Sequence, residues 1–262
     1  MDAMRIDAIL QSVNYADMLA LTLPLVKVHF DSLTVWTKRG DEATKAVCAR
    51  EGVACVETDL FTKGGSSFCR GAAFNEAFRR LVRAYAALGQ NPQWVCILDS
   101  DIVLPPTFRV TLDAMEAKGE LDIECFYGAR RYNVETEKQW QRVKGWDETE
   151  LAKCLLYRGY GYSYLSLHHM CSNTFLRLWR ETGSNPYPEW GDGSTADWMF
   201  RNQWGDCPWN PPTQPPDNIL DHGVVGPCDP PKGLLRQLPF NVMHLGITGI
   251  NATGRHTPLW IT

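Results

Sequence analysis

The spacing of apolar residues divides the first half of the chain into short strands alternating with amphipathic helices. Ile6 to Val13 reads as a strand and Tyr15 to Phe30 as a helix, with Asn14 placed to cap it. Ser32 to Thr37 predicts a second strand, Asp41 to Glu51 a second helix, and Val53 to Glu57 a short third strand. From Gly71 to Leu88, residues Phe74, Ala77, Phe78, Leu81, Val82 and Tyr85 fall at helical spacing. Trp94 to Leu98 is an apolar run that fits a buried strand bounded by a turn. Strands alternating with helices imply a mostly parallel sheet flanked by helices, so the predicted class is α/β.

The second half is less regular. Thr107 to Lys118 predicts a helix, Leu121 to Tyr127 a strand, and Tyr160 to Leu167 alternates in a strand-like way. Thr195 to Trp204 predicts a short helix capped by Thr195, and Leu234 to Leu245 returns to strand character. Between Cys207 and Lys232 the chain is rich in Pro, Gly, Asp and Asn, so it reads as a loop. A loop of that length inside a compact domain is usually functional or disordered. There is no internal repeat and no coiled-coil heptad pattern.

The bulk numbers narrow the class. At 262 residues, with 44% apolar and 21% charged content, the chain supports the core of an ordinary globular protein. No apolar stretch reaches bilayer length and the N-terminus lacks a signal-peptide pattern, so the expected location is cytoplasmic. Nine cysteines, odd in number and never spaced Cys-x-x-Cys, favour reduced thiols over a disulfide framework. Without secretion, the sequon Asn251-Ala252-Thr253 reads as coincidence. A net charge of −4 offers nucleic acid no global attraction. A local basic patch stays open at Arg130-Arg131 with Arg79, Arg80 and Arg83, although helical arginines at that spacing also describe a solvated face.

Candidate chemistry centres on Asp99-Ser100-Asp101. Two carboxylates at the C-terminal end of a buried strand would sit in the crevice where open α/β sheets bind ligands. Hard cations such as Mg²⁺ or Mn²⁺ take oxygen ligands and commonly bridge carboxylates to substrate phosphates. The competing reading is a solvated turn ahead of a helix cap near Thr107. Arg70 lies just before a predicted helix start, where a guanidinium and backbone N–H groups together suit phosphate; a surface Arg capping a loop is the other reading. Gly64 and Gly65 offer a close-approach loop but match neither a Walker nor a dinucleotide fingerprint, which argues against an ATPase or dehydrogenase. His168, His169 and Cys171 with Cys207, His222 and Cys228 contain the elements of a zinc site, but lack paired ligands at short spacing; thiols packed under the 207–232 loop are the alternative.

Four blocks of the chain resemble a GT-A glycosyltransferase, the nucleotide-sugar-dependent fold with an Asp-x-Asp metal site. They are 13–19 ahead of 33–37; 64–75, with its glycine pair and Arg70; Asp99-Ser100-Asp101; and His244-Leu245-Gly246 followed by Asn251 and Gly254-Arg255. The resemblance implies a single catalytic domain over 1–262, with a nucleotide-sugar-binding half (1–128) and an irregular acceptor-binding half (129–262) that carries the loop 207–232. It implies Mn²⁺ or Mg²⁺ on Asp99, Asp101 and His244. It implies contacts to a UDP-sugar donor from Val13, Asn14, Tyr15, Thr37, Arg70, Asn75, Asp99, Ser100, Gly246 and Arg255. His256 beside Arg255 either helps neutralise the leaving diphosphate or belongs to a solvated tail. The segment 193–200 resembles the helix start that supplies the base in inverting members, which points to Asp197; Ala196 stands where the family often has a second acid. A helix-start Asp that only caps is the alternative.

Tyr160, Tyr162 and Trp198 are the acceptor-side candidates, since flat rings suit sugar or base stacking; they equally suit an ordinary core. The compact form also resembles phage-type enzymes that glycosylate hydroxymethylated bases in DNA, acting in a host cytoplasm. A glycan or cell-surface acceptor is the competing substrate class. A nucleotidyltransferase and a non-catalytic binding module remain as other functional classes.

Overall fold

A computed structural model describes residues 4–66, 68–157, 165–189, 193–205, 233–246 and 260. Within them nine strands form one sheet. These are β1 (Ile6–Gln11), β2 (Ser32–Lys38), β3 (Ala54–Thr58), β4 (Trp94–Asp99), β5 (Ile102–Val103), β6 (Phe126–Val134), β7 (Leu155–Tyr157), β8 (Leu165–His169) and β9 (Leu235–Leu245). The order is β3-β2-β1-β4-β8-β6-β9-β5, with β7 on β6. β1 to β4, β6 and β9 run one way and β5, β7 and β8 the other, so the sheet is mixed but mostly parallel.

The helices are α1 (Ala16–Val26), α2 (Glu42–Glu51), α3 (Arg70–Ala87), α4 (Phe108–Ala117), α5 (Glu137–Val143), α6 (Glu148–Leu151), α7 (Asn173–Glu181) and α8 (Gly193–Arg201). Side chains alternate across a strand, and here both faces are apolar. Ala8, Leu10, Cys96 and Leu98 pack beneath α1, α2 and α4. Ile9, Val95 and Ile97 pack against Phe74 and Phe78 of α3, Phe175 of α7 and Phe200 of α8. A third cluster seats Trp140 and Val143 of α5 and Leu151 of α6 on Val103, Met243 and Leu245. Among the described residues no helix is long and apolar enough to cross a membrane.

Several expected boundaries move. Asn14 does not cap α1: its backbone lies at φ 62°, and Tyr15 holds the cap position without a side-chain capping bond to the helix. The strand expected over Leu121 to Tyr127 instead begins at Phe126 and runs to Val134. Asp122 diverts the stretch before it, because its side chain accepts from the Glu124 N–H at 2.9 Å and forms a turn. The expected division between residues 128 and 129 falls inside that strand. The strand expected over 160–167 begins at Leu165, with 158–164 outside the described residues. Thr195 does not cap α8, which already begins at Gly193.

Candidate functional site at the ends of β1 and β4

β1 lies between β2 and β4, so the chain winds outward from it in both directions. Such a reversal leaves a crevice at the C-terminal strand ends, where open α/β sheets bind ligands. Gln11 and Asp99 end β1 and β4 in register with each other. The cleft there is walled by Gln11, Val13 and Tyr15 on one side, Phe68 and Arg70 on another, and the Asp99-Ser100-Asp101 turn.

That turn is fixed from two directions. The Thr22 hydroxyl donates to the Ser100 carbonyl at 2.7 Å, and the Leu245 N–H donates to the Asp101 carbonyl at 2.8 Å. β5 then pairs antiparallel with β9, which sets Ile102 opposite His244. His244 Nε2 comes within 3.4 Å of Asp101 Oδ2. The other carboxylate oxygen, Asp101 Oδ1, is buried and finds no hydrogen-bond partner among the described residues. Burial, helped by the nearby Asp99 charge and opposed by Arg131 and Arg70, pushes the Asp101 carboxyl up to about 7. Burial, and then Arg131, holds His244 well below its ordinary value, so its imidazole is neutral. A neutral imidazole beside a carboxylate with an unused oxygen fits the donor set of Mn²⁺. Asp99 does not complete a trio: among the described residues no three His, Cys, Asp or Glu side chains gather as a metal cluster.

Asp99 is instead engaged by Arg70. Arg70 opens α3, with its carbonyl accepting from Gln11 Nε2 at 2.9 Å. Its Nη2 lies 2.5 Å from Asp99 Oδ1 and its Nη1 2.8 Å from Asp197 Oδ2. The guanidinium also stacks over Phe74, 5.2 Å from the ring centre. Burial opposes its charge, but Asp197 and Asp99 outweigh that and raise its pKa, so Arg70 is a fixed cation.

Asp197 lies in α8, buried, and does not line the cleft. Its second oxygen, Oδ1, accepts the Tyr187 hydroxyl. Burial pushes the Asp197 carboxyl up to about 7, with Asp99 adding to the rise and Arg70, Tyr187 and Arg201 opposing it. Both oxygens of the expected base are therefore engaged in this arrangement, one by Arg70 and one by Tyr187.

Asn75 is also buried and does not line the cleft. Its Nδ2 donates to the Tyr187 carbonyl and its Oδ1 accepts the Tyr187 N–H, both at 2.9 Å. Thr37 and Asn14 meet at Asp41: the Thr37 hydroxyl (2.8 Å) and the Asn14 N–H (2.9 Å) both donate to Asp41 Oδ2. Burial works against the Asp41 charge, but these bonds and those from Thr44 outweigh it and lower the pKa. Gly246 follows β9 at φ 84° and donates its N–H to the Val134 carbonyl.

Tyr160, Tyr162, Arg255, His256 and Asn251 lie outside the described residues, as does the loop 207–232 with Cys207, His222 and Cys228; the Trp198 side chain is likewise not described. Within the described part of the zinc set, His168 is packed among Phe126, Phe175 and Phe200, and the Cys171 thiol donates to the Pro92 carbonyl. The helical arginines share one carboxylate: Arg79, Arg80 and Arg83 all pair with Glu76. Arg131 is buried in β6. Sequence reasoning passed over Gln11, Tyr187 and Asp41, and treated Arg131 only as a surface charge.

No protein-family model matches the chain, and no curated protein matches it. Similar solved structures include glucosyl-3-phosphoglycerate synthase from Mycobacterium tuberculosis in complex with Mn²⁺, uridine diphosphate and phosphoglyceric acid. That likeness has 18% identity, covers 63% of this chain and 56% of that one, and has a TM-score of 0.36. The same synthase with Mn²⁺, UDP-glucose and phosphoglyceric acid gives 16% identity, 63% and 57% coverage, and a TM-score of 0.38. A structure described as a mycobacterial protein gives 17%, 63%, 53% and 0.35. The chain therefore spans a little over half the length of each, and its function rests on the residues described above.

Proposed function

We propose that the protein is a metal-dependent glycosyltransferase that moves a sugar from a nucleoside diphosphate donor, UDP-linked, to an acceptor hydroxyl. One observation carries the reading: a buried, permanently charged Arg70 and the Asp99-Ser100-Asp101 turn share one cleft at the reversal point of the sheet. Fixed cations beside carboxylates suit a ligand that brings both a divalent metal and a diphosphate. Asp101 and His244 would hold Mn²⁺ or Mg²⁺, and Asp99 would join them on giving up its contact with Arg70. Bound there, the ion supplies charge stabilisation for the departing diphosphate. Arg70 binds phosphate oxygens, and its position at the first turn of α3 adds the helix dipole to that attraction. Val13 and Tyr15 line the side of the cleft that would take the nucleoside, backed by the Asn14–Asp41–Thr37 contacts.

The acceptor is a hydroxyl of a hydroxymethylated DNA base or of a glycan. The net charge of −4 gives DNA no general attraction, which favours the glycan. The test is donor hydrolysis across a panel of nucleotide sugars with Mn²⁺, Mg²⁺ or chelator. Metal-dependent release of a nucleoside diphosphate supports the reading, and hydroxymethylated DNA or glycan added to the same assay identifies the acceptor. Release of pyrophosphate from nucleoside triphosphates instead would identify a nucleotidyltransferase. Silence toward every nucleotide would overturn the proposal in favour of a binding module.

A further inference from the structure

The two carboxylates that hold Arg70 differ in kind. The Asp99 side chain is 28% exposed at the cleft, whereas that of Asp197 is 5% exposed. A cation entering the cleft competes for Asp99, and an anion competes for the Arg70 nitrogen that faces it. Once either arrives, Asp197 is the one carboxylate still holding Arg70, beside the stacking on Phe74. A carboxylate gripped at one oxygen can swivel; one gripped at both cannot. Asp197 has its second grip from the Tyr187 hydroxyl.

Tyr187 is itself held against motion. Asn75 bonds both its N–H and its carbonyl, and its ring lies 4.8 Å from that of Phe74 and 4.4 Å from that of Phe200. Gly71 lets this strand of chain approach, since a Cβ there would lie 2.0 Å from the Pro188 carbonyl oxygen. Asn75, Tyr187, Asp197 and Arg70 thus form one continuous chain of contacts that ends in the cleft.

We propose that Tyr187 is a positioning residue for anion binding, acting through Asp197 to keep Arg70 directed at the cleft when Asp99 is withdrawn. The proposal rests on the reading of the cleft as a metal–diphosphate site. The probe is UDP with Mn²⁺, titrated calorimetrically into wild type, Tyr187→Phe, Arg70→Gln and the double variant. Tyr187→Phe keeps the ring packing and removes only the hydroxyl, and is expected to bind UDP about ten-fold more weakly. In the Arg70→Gln background the same change should cost nothing further, because the residue it acts on is gone. Unchanged affinity in Tyr187→Phe, or losses that simply add in the double variant, would overturn the positioning role while leaving the functional reading intact.

Failure of the wild type to bind UDP would overturn the functional reading instead. The positioning link is then still decided without ligand, by the Arg70 Nε–H resonance assigned through Arg70→Lys. A shift and broadening of that signal in Tyr187→Phe supports the link; an unchanged signal refutes it.

Discussion

Arg70 and Asp197 stand 127 positions apart in the chain and meet at 2.8 Å, each side chain less than a tenth exposed. Breaking a buried pair from one side strands the other charge in a medium that solvates it poorly. Arg70→Gln should therefore destabilise the fold by about 3–5 kcal/mol in urea unfolding. Arg70→Met combined with Asp197→Leu should recover most of that loss yet still fail to bind UDP. If the double variant is as unstable as the single one, the pair is not the source of the penalty.

Asp101 carries the unused buried oxygen and the contact to His244. Asp101→Asn should remove Mn²⁺ binding, read directly as the free-ion signal in electron paramagnetic resonance, and with it any metal-stimulated donor hydrolysis. Retention of wild-type Mn²⁺ affinity would place the metal elsewhere.

Gly71→Ala tests the close approach beneath the site. The added methyl meets backbone, which cannot swing aside as a side chain can. A cost of about 1–3 kcal/mol is expected, together with weaker UDP binding because Tyr187 is carried away with Pro188. A variant that unfolds at the wild-type midpoint would contradict the packing described.

His168 offers a pH signature away from the cleft. Burial among aromatic rings, and then His169, holds its pKa down to about 3, while the unfolded chain takes a proton near the ordinary 6.5. The stability tied to its neutral ring is full above pH 6.5 and is lost as pH falls toward 3, at about 1.4 kcal/mol per unit. Neither ring nitrogen has a hydrogen-bond partner among the described residues, so His168→Leu forfeits none. Urea unfolding at pH 7 and pH 5 should show a stability drop about 2 kcal/mol smaller in the variant than in wild type. Equal drops would refute the neutral buried ring.

The parallel core and the carboxylate turn were legible because they are local. The run Trp94 to Leu98 announces a buried strand, and the aspartates follow it directly. Tyr187 was not legible: it sits between Pro186 and Pro188 without periodicity, and its role depends on Asn75, 112 positions earlier. Asp41 read as a helix start, which it is, but its bonds to Asn14 and Thr37 arise only when β1 and β2 lie side by side. The alternating Leu121 and Ile123 imitated a strand, although Ile123 is exposed and Asp122 turns the chain. The helix α5 had a signal that went unread: Thr136 and Gln139 form a capping box.

The insertion of β9 between β6 and β5 has a consequence for the order in which the molecule is made. A ribosome releases β1 to β4 and both aspartates of the turn more than a hundred residues before β9 emerges. Until then β5 lacks its pairing with β9 and Asp101 lacks the His244 imidazole beside it. Domains form in the order of synthesis, and contacts distant in sequence close late. An ion site built on Asp101 and His244 would thus be completed late in synthesis, and would mark a sheet whose β9 strand has been threaded home.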